Sequence, residues 1–405
     1  MTFWITNARV VTLAGPRRRR GKAFGDLRVI ERGNVAMEQG RIVEVTETAV
    51  GKSFFDAQGR VLLPGFVDCH THACWAGSRL DEWGRSLRGE PYLDILAKGG
   101  GIMSTVRAVR EAGENALALA LTERLNAMLA HGTTTVEVKS GYGLTTADEL
   151  KMLRSIASAA RNWRGSGVVS TALIAHAIDR EQPDFAQKTI EETLPAVHAA
   201  FPGVTIDAYC ENGAWSLDDC AQLFEHAKAL GHPFRVHADQ FNSLGMVEWA
   251  LAHCAVSVDH LEASGDATIG ALAAPDTFGV LLPCSGFHTD QRFAPGRALV
   301  DAGALVAIAT NFNPGSAPTG SMPMAMALAV RRNGLTPEEA IAAATVHGAE
   351  VLGLHDRGQI VPGQRADLVL MDCFDERAIA WMFGMNGVHA VWVGGAQVVG
   401  PRQPV

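Results

Sequence analysis

The stretch Val61–His72, VLLPGFVDCHTH, decides how this chain is interpreted. Its apolar run, interrupted by Pro64-Gly65, predicts buried strand and leads directly to His70 and His72. In extended backbone, alternate side chains project to the same side, so one cation could contact both imidazoles. Because His-X-His also occurs by chance, its meaning depends on whether further ligands lie elsewhere in the chain.

Composition limits the class of protein. The chain has 405 residues, of which 47% are hydrophobic and 19% are charged, as in a soluble enzyme-sized protein. No apolar run approaches the roughly 18 residues that a membrane helix needs, and the net charge of -8 argues against a nucleic-acid partner. The basic run at residues 17–20 predicts a solvated loop. Seven scattered cysteines without a Cys-X-X-Cys pair predict reduced thiols and a cytoplasmic location.

The order of elements predicts an α/β fold built on a (β/α)8 TIM barrel. Apolar β-branched runs alternate with amphipathic helical stretches, which is typical of a closed parallel sheet. The predicted strand segments end at His72, Gly143, Ala177, Gly213, Phe241, Glu262, His288 and Gly315. We expect this barrel to span residues 64–356. Short alternating strands flank it, and we expect residues 1–63 and 357–405 to pair into a composite β-sandwich domain.

Polar residues gather at the predicted carboxyl ends of the strands, where such barrels place their chemistry. His70, His72 and His237 fit a mononuclear metal site with an open position for water, whose pKa the ion would lower toward about 7. His260 ends the sixth strand and could move a proton or stabilise a developing oxyanion. On the eighth strand, where a carboxylate is expected, the chain has Asn311, whose amide can coordinate but cannot act as a base.

Together, the motifs PGFVDCHTH, HADQ, DHLE and TNFNPGS resemble the amidohydrolase superfamily, and within it the imidazolonepropionase family of histidine degradation. The resemblance runs along nearly the whole barrel. It implies hydrolysis of the ring amide of 4-imidazolone-5-propanoate to N-formimidoyl-L-glutamate. It also implies one divalent metal ion, Zn or Fe, and a homodimer.

The resemblance also implies roles for individual residues. The implied metal ligands are His70, His72, His237 and Asn311, and the implied catalytic residues are His260, Asn311 and Gln240. The implied substrate contacts are Arg79, Tyr142, His176, Gln240, Asn313, Gly315 and Ser316. The resemblance implies an anionic cyclic amide as the substrate, and Arg79 independently favours the anionic part, because a planar guanidinium suits a carboxylate.

Two departures from the family pattern leave alternatives open. The family has Asp where this chain has Asn311, and the segment CSGFHTDQRF after the seventh strand is less aromatic than usual. The chain could therefore be an active-site variant with slowed turnover, or a relative that binds without catalysis. It could also be a paralogue acting on a hydantoin, a thiohydantoin or an N-methylated imidazolone propionate. A cyclic amidine deaminase is a further alternative, which would release ammonia without opening the ring.

Overall fold

The structure is a computed structural model that describes residues 2–48, 54–90, 94 and 99–400. It confirms the predicted barrel, because eight parallel strands follow one another around a single sheet. These strands are β6 (Phe66–Asp68), β7 (Thr133–Lys139), β8 (Gly167–Ala175), β9 (Thr205–Tyr209), β10 (Phe234–Ala238), β11 (Ser257–His260), β12 (Phe278–Leu281) and β13 (Leu305–Ile308).

The seam between the first and last barrel strands is joined just beyond their carboxyl ends. The backbone N–H of Asn311 donates to the carbonyl of His70 at 3.1 Å, and that of His72 donates to Phe312 at 3.0 Å. These two bonds bring the His-X-His segment alongside the residues that follow β13.

Helices cover the barrel, and their apolar faces supply much of its buried core. Several begin at a serine or threonine whose side chain accepts a backbone N–H, as at Thr336, which forms a capping box with Glu339. The α-helices are Leu80–Leu87, Ile102–Glu111, Glu114–Ala130, Thr146–Asn162, Phe185–Lys188, Leu194–Ala200, Leu217–Ala229, Met246–Ala252, Asp266–Leu272, Pro283–His288, Gly296–Ala302, Met322–Leu328, Pro337–Ala342, Gly348–Val351 and Ala378–Trp381. A 3₁₀ turn forms at Gly21–Ala23, and π-helical turns form at Thr189–Thr193, Ala329–Asn333 and Ala343–His347. Within the described ranges, no helix combines the length and apolarity needed to span a bilayer.

A second eight-stranded sheet joins the two ends of the chain. Its strands are β1 (Phe3–Val11), β2 (Val29–Glu38), β3 (Arg41–Thr46), β4 (Phe54–Asp56), β5 (Val61–Pro64), β14 (Leu368–Met371), β15 (Val388–Val393) and β16 (Ala396–Val399). The central link is the antiparallel pair β5–β14, with Leu62 opposite Leu370. The exact domain boundaries at residues 63/64 and 356/357 stay a prediction.

Gly65 lies where the chain passes from one sheet to the other. A Cβ at this position would lie 2.3 Å from Thr134 Oγ1, so the contact between the two segments leaves no room for a side chain. The apolar run before the histidines therefore divides between β5 and β6, and β6 leads directly to His70 and His72.

The basic run at residues 17–20 forms a loop, as predicted, but Arg18 alone of its four residues is exposed, so the prediction that the loop is solvated was wrong. Arg19 is only 3% exposed, and its guanidinium donates to the carbonyls of Leu13, Ala14, Pro16 and Asp26. Arg20 and Arg17 also donate to carbonyl oxygens on the barrel side of the molecule. Backbone carbonyls satisfy these cations, so the run anchors the N-terminal segment and is not free for a partner.

Candidate metal centre and active site

Three histidine side chains converge at the carboxyl end of the barrel. His72 Nε2 lies 3.3 Å from His70 Nε2 and 3.3 Å from His237 Nε2. All three residues are at most 3% exposed, and one nitrogen from each falls within 4.8 Å of the others. The structure therefore brings together the three histidines that the sequence singled out as metal ligands.

Buried carboxylates orient two of these rings. His70 Nδ1 donates to Asp259 Oδ2 at 2.5 Å, and His237 Nδ1 donates to Asp207 Oδ1 at 3.1 Å. With a proton fixed on each Nδ1, the lone pairs of the two Nε2 atoms point toward the shared centre. His72 has no such partner, and its Nδ1 is buried without a hydrogen bond.

The geometry of the three nitrogens fits a divalent metal ion. Two nitrogens on one tetrahedral zinc, each at about 2.0–2.1 Å, lie about 3.3–3.4 Å apart, which matches both separations at His72. Burial lowers the pKa of His70, His72 and His237 well below the ordinary histidine value, so all three are neutral, as ligands must be.

A cavity of about 660 Å³ opens above this centre. Its wall includes His72, His237, His260 and Asn311, together with residues from several barrel loops. Of the predicted substrate contacts, the wall contains Arg79, Tyr142, His176, Gln240, Asn313, Gly315 and Ser316. All residues named as candidate substrate contacts therefore face one space, which also reaches two of the three metal-site histidines.

Two neutral hydrogen-bonding groups lie beside the histidine centre. His176 stacks on His72 with ring centroids 5.0 Å apart, and its Nδ1 donates to the carbonyl of Gly141 at 2.9 Å. Burial lowers the pKa of His176 to about 4, and burial raises the pKa of Tyr142 above its ordinary value. Both groups therefore remain uncharged near neutral pH and can orient a polar ring.

His260 lies in the cavity wall beside His237. Its ring centroid is 5.6 Å from that of His237, and its Nδ1 lies 3.2 Å from both carboxylate oxygens of Glu262. The backbone at His260 has φ +89, which is strained for a residue with a side chain. The end of β11 thus places an imidazole in the cavity wall and a carboxylate against its Nδ1.

Asn311 is also held in a left-handed backbone conformation, with φ +56. Its side-chain Oδ1 is buried without a hydrogen-bond partner, and the residue faces the cavity shared with His72. An unpaired buried amide oxygen is costly unless a donor or a cation satisfies it. The amide oxygen is therefore a suitable neutral ligand, although it brings no charge to the site.

The turn after Asn311 is organised by Asn313. Asn313 Oδ1 accepts the backbone N–H groups of Gly315 and Ser316, each at 2.8 Å, and its Nδ2 donates to the carbonyl of Asn311 at 2.6 Å. These backbone N–H groups are thus already satisfied inside the turn. The turn therefore forms part of the cavity wall, and two of its backbone N–H groups bond the side chain of Asn313.

Arg79 reaches the cavity from the start of the helix Leu80–Leu87. Its Nη2 bonds Glu82 Oε2 at 2.6 Å, and the same oxygen accepts the backbone N–H of Gly101 at 3.0 Å. Arg79 Nε is buried without a partner. A Cβ built at Gly315 would lie 3.2 Å from Arg79 Nη1, which places the guanidinium directly against the Asn313 turn.

Sequence reasoning assigned no role to five charged residues that lie beneath the histidines. They are at most 2% exposed and consist of Glu137, Lys139, Asp207, Arg235 and Asp259. A signal was present, because Glu137 and Lys139 alternate on one strand, as do Arg235 and His237 on another. Alternation places them in the barrel interior, but it does not show that opposite charges meet there.

Comparison with known proteins agrees with this geometry. The profile of the Amidohydrolase family matches residues 61–398. Imidazolonepropionase of Deinococcus radiodurans is 42% identical over 392 residues, covering 95% of this chain and 97% of that protein. Imidazolonepropionase of Herpetosiphon aurantiacus is 43% identical over 390 residues, covering 92% of this chain and 91% of its own. The chain belongs to the amidohydrolase family.

Solved structures show how far this amidohydrolase shares its fold with more distant proteins. A 5-methylcytosine deaminase from Klebsiella pneumoniae liganded with 5-fluorocytosine has a TM-score of 0.76 at 16% identity, with 99% of this chain and 98% of that chain covered. Atrazine chlorohydrolase from Arthrobacter aurescens TC1 complexed with zinc has a TM-score of 0.72 at 17% identity, with 100% and 96% covered. At these identities the likeness concerns the fold alone.

Proposed function

We propose that this chain hydrolyses the ring amide of 4-imidazolone-5-propanoate to N-formimidoyl-L-glutamate, a step in histidine degradation. The proposal rests on one observation: Arg79 and two of the three converging histidines line the same cavity of about 660 Å³. Such a cavity suits a small ring that carries a carboxylate on a short chain. The relatives named imidazolonepropionase, at about 40% identity over nearly the whole chain, support this substrate.

The metal would be held by His70, His72 and His237, with Asn311 as a neutral fourth ligand. A zinc or iron ion at these nitrogens would polarise the ring carbonyl and make water a usable nucleophile at neutral pH. Burial lowers the pKa of the three imidazoles, so protons compete little with the ion for the ligand nitrogens even at a pH somewhat below the pKa of free histidine.

The remaining chemistry is a proton transfer between water and the ring nitrogen. The oxygen of one water bonds to the ring carbonyl carbon, the bond from that carbon to the ring nitrogen breaks, and one water proton ends on this nitrogen. The second water proton leaves from the new carboxylic acid. We assign the transfer to His260, because Glu262 lies 3.2 Å from its Nδ1 and can stabilise the imidazolium that forms.

Other cavity residues would position the substrate. Arg79 would bind the propanoate carboxylate, since its guanidinium offers a planar set of donors. Tyr142 would donate to the ring through its hydroxyl, and His176, whose Nδ1 proton is bonded to Gly141, would accept from the ring or stack on it. Gln240 would contact the polar edge of the ring with its side-chain amide. The turn at Asn313, Gly315 and Ser316 would form the wall beside the carboxylate.

A second candidate follows from Asn311. Because an amide at this position is neutral, the chain could be a paralogue adapted to a related cyclic amide such as a hydantoin, a thiohydantoin or an N-methylated imidazolone propionate. The carboxylates of the cavity wall in the described part of the chain, Glu82 and Asp290, are each paired with an arginine. Neither is free to replace the missing acid, so proton transfer in either reaction falls to His260.

Product analysis distinguishes these reactions. The zinc-loaded protein and Asn311→Asp are each given imidazolone propionate or its hydantoin analogue, and the products are identified by mass and by ammonia assay. The proposal predicts that imidazolone propionate gains one water without ammonia release and is preferred by both proteins. Preference for the hydantoin analogue by the parent would support the paralogue, whereas ammonia release with an intact ring would identify a deaminase.

The assembly and location implied by the family are also proposed here. The chain would act as a cytoplasmic homodimer, with its seven cysteines as free thiols. Sedimentation analysis of the purified protein tests the dimer, because a mass of one chain at micromolar concentration would contradict it.

A further inference from the structure

Beneath the metal-site histidines lies a buried charged layer, defined here as Glu137, Lys139, Asp207, Arg235 and Asp259. The five side chains come from strands β7, β9, β10 and β11, and none is more than 2% exposed. Charged groups rarely occupy a barrel interior unless they compensate one another or a nearby ion. Their arrangement therefore needs an explanation beyond packing.

The layer has two arms, each of which ends on a different histidine. In one arm Lys139 Nζ bonds Asp207 Oδ2 at 2.8 Å, and Asp207 Oδ1 accepts His237 Nδ1 at 3.1 Å. In the other, Arg235 Nη2 bonds Asp259 Oδ2, which also accepts His70 Nδ1 at 2.5 Å. Each arm thus consists of a cation, a carboxylate and an imidazole in sequence.

Glu137 ties the two arms together. Its Oε1 lies 2.7 Å from Lys139 Nζ and 3.6 Å from Arg235 Nη1, and its Oε2 accepts the backbone N–H of Thr71 at 3.0 Å. Thr71 lies between His70 and His72. The layer therefore also fixes the backbone that carries two of the three histidines.

The charges of the layer do not cancel. Three carboxylates face two cations, which leaves one negative charge beneath the histidines. The groups directly around the proposed ion bring no charge, because the three imidazoles and Asn311 are all neutral. The layer carries its excess negative charge in direct contact with two ligand imidazoles, through Asp207 and Asp259, where it can offset a divalent ion.

We propose that the buried charged layer positions His70 and His237 and supplies the negative charge that the neutral ligand set lacks, and so sets the metal affinity of this chain. The inference rests on the proposed metal site and deepens it. Asp259 and Asp207 are positioning residues, since they act through the imidazoles. Outer partners of metal-bound histidines typically change metal affinity about 10- to 100-fold when substituted.

The test compares zinc affinity of the full-length apoprotein by competition with a chromophoric chelator. The variants are Asp259→Asn, Asp207→Asn and the matched control Glu376→Gln, which removes a 5%-exposed carboxylate paired with Arg9 in the other sheet. We expect the two aspartate variants to bind zinc about 10- to 100-fold more weakly, with the control within about twofold of the parent. Cobalt-loaded forms should show altered visible ligand-field spectra in the aspartate variants only.

A further variant keeps the inference testable if the aspartate variants fold poorly, as judged by circular dichroism. Glu137→Gln removes the excess negative charge of the layer, keeps an acceptor for the backbone N–H of Thr71 and leaves both aspartates in place, and we expect it to bind zinc about tenfold more weakly. Equal zinc affinity in all variants, or an equal loss in Glu376→Gln, would overturn the inference while leaving the metal site standing. A parent protein that binds no zinc would instead contradict the proposed site itself.

Discussion

Arg79 offers a direct test of the proposed substrate, because its guanidinium lies in the cavity wall, where it could bind a carboxylate. Simple removal would leave Glu82 unpaired, since the two side chains are 15% and 14% exposed and bond at 2.6 Å. The informative variant is therefore the double substitution Arg79→Met with Glu82→Gln. Arg79→Lys is the matched variant that keeps the charge but loses the planar set of donors.

The expected magnitude follows from the lost contact. A hydrogen bond to a charged group contributes about 1.5–3 kcal/mol, and about 1.4 kcal/mol corresponds to tenfold in binding. We expect kcat/KM for imidazolone propionate to fall about 10- to 100-fold in the double variant, mainly through KM. The carboxylate is remote from the bond that breaks, so the lost contact should weaken ground-state and transition-state binding alike. Arg79→Lys should lie between this variant and the parent.

The assay is steady-state kinetics with two substrates, the propanoate and an analogue whose carboxylate is replaced by a carboxamide. The neutral analogue should be used poorly by the parent, and the double variant should change its kcat/KM by less than about threefold. An equal fall for both substrates would show that Arg79 supports the structure of the cavity and does not bind the carboxylate.

Three further predictions concern the fold around the site. Gly65→Ala should destabilise the protein by about 1–3 kcal/mol, because the new Cβ meets Thr134 at 2.3 Å, and Thr134→Ala should relieve part of this loss in a thermal unfolding comparison. Arg19→Met should lower the free energy of unfolding by about 1–3 kcal/mol in denaturant titrations, because buried carbonyls lose their donor, whereas exposed Arg32→Met should change it little. Burial lowers the pKa of His347 to about 4, below the unfolded value of about 6.5, so its contribution is complete above about pH 6.5 and is lost as pH falls toward 4. That loss is roughly 3 kcal/mol, and a His347→Gln protein should lack it in unfolding curves measured from pH 7 to 4.5.

The barrel and its histidines were predictable from sequence because their signals are local. Apolar runs of strand length alternate with helical periodicity, and His70, His72, His237 and His260 each come at or just after the end of such a run. The seventh unit shows the limit of this reasoning. The predicted strand segment ran to His288, but Pro283 begins a helix at Pro283–His288, where its fixed φ suits the first turn.

The buried charged layer and the anchoring of Arg19 could not be predicted in the same way. A charged residue in a sequence is normally predicted to lie on the protein surface. Only the folded barrel brings Lys139 on β7 to Asp207 on β9. His288 is a further case, since it stacks on Trp83 at the cavity wall with ring centroids 6.4 Å apart. Trp83 and His288 are far apart in the sequence, so no local pattern predicts this contact.

Metal titration of the apoprotein tests the central claim most directly. Zinc or iron is added in increments to chelator-treated protein, and formation of N-formimidoyl-L-glutamate from imidazolone propionate is measured at each step. The predicted result is activity that is absent without metal, rises in proportion to the added ion and stops rising at one ion per chain, with no such rise in His72→Ala. Undiminished activity in metal-free protein, or full activity in metal-loaded His72→Ala, would contradict the claim.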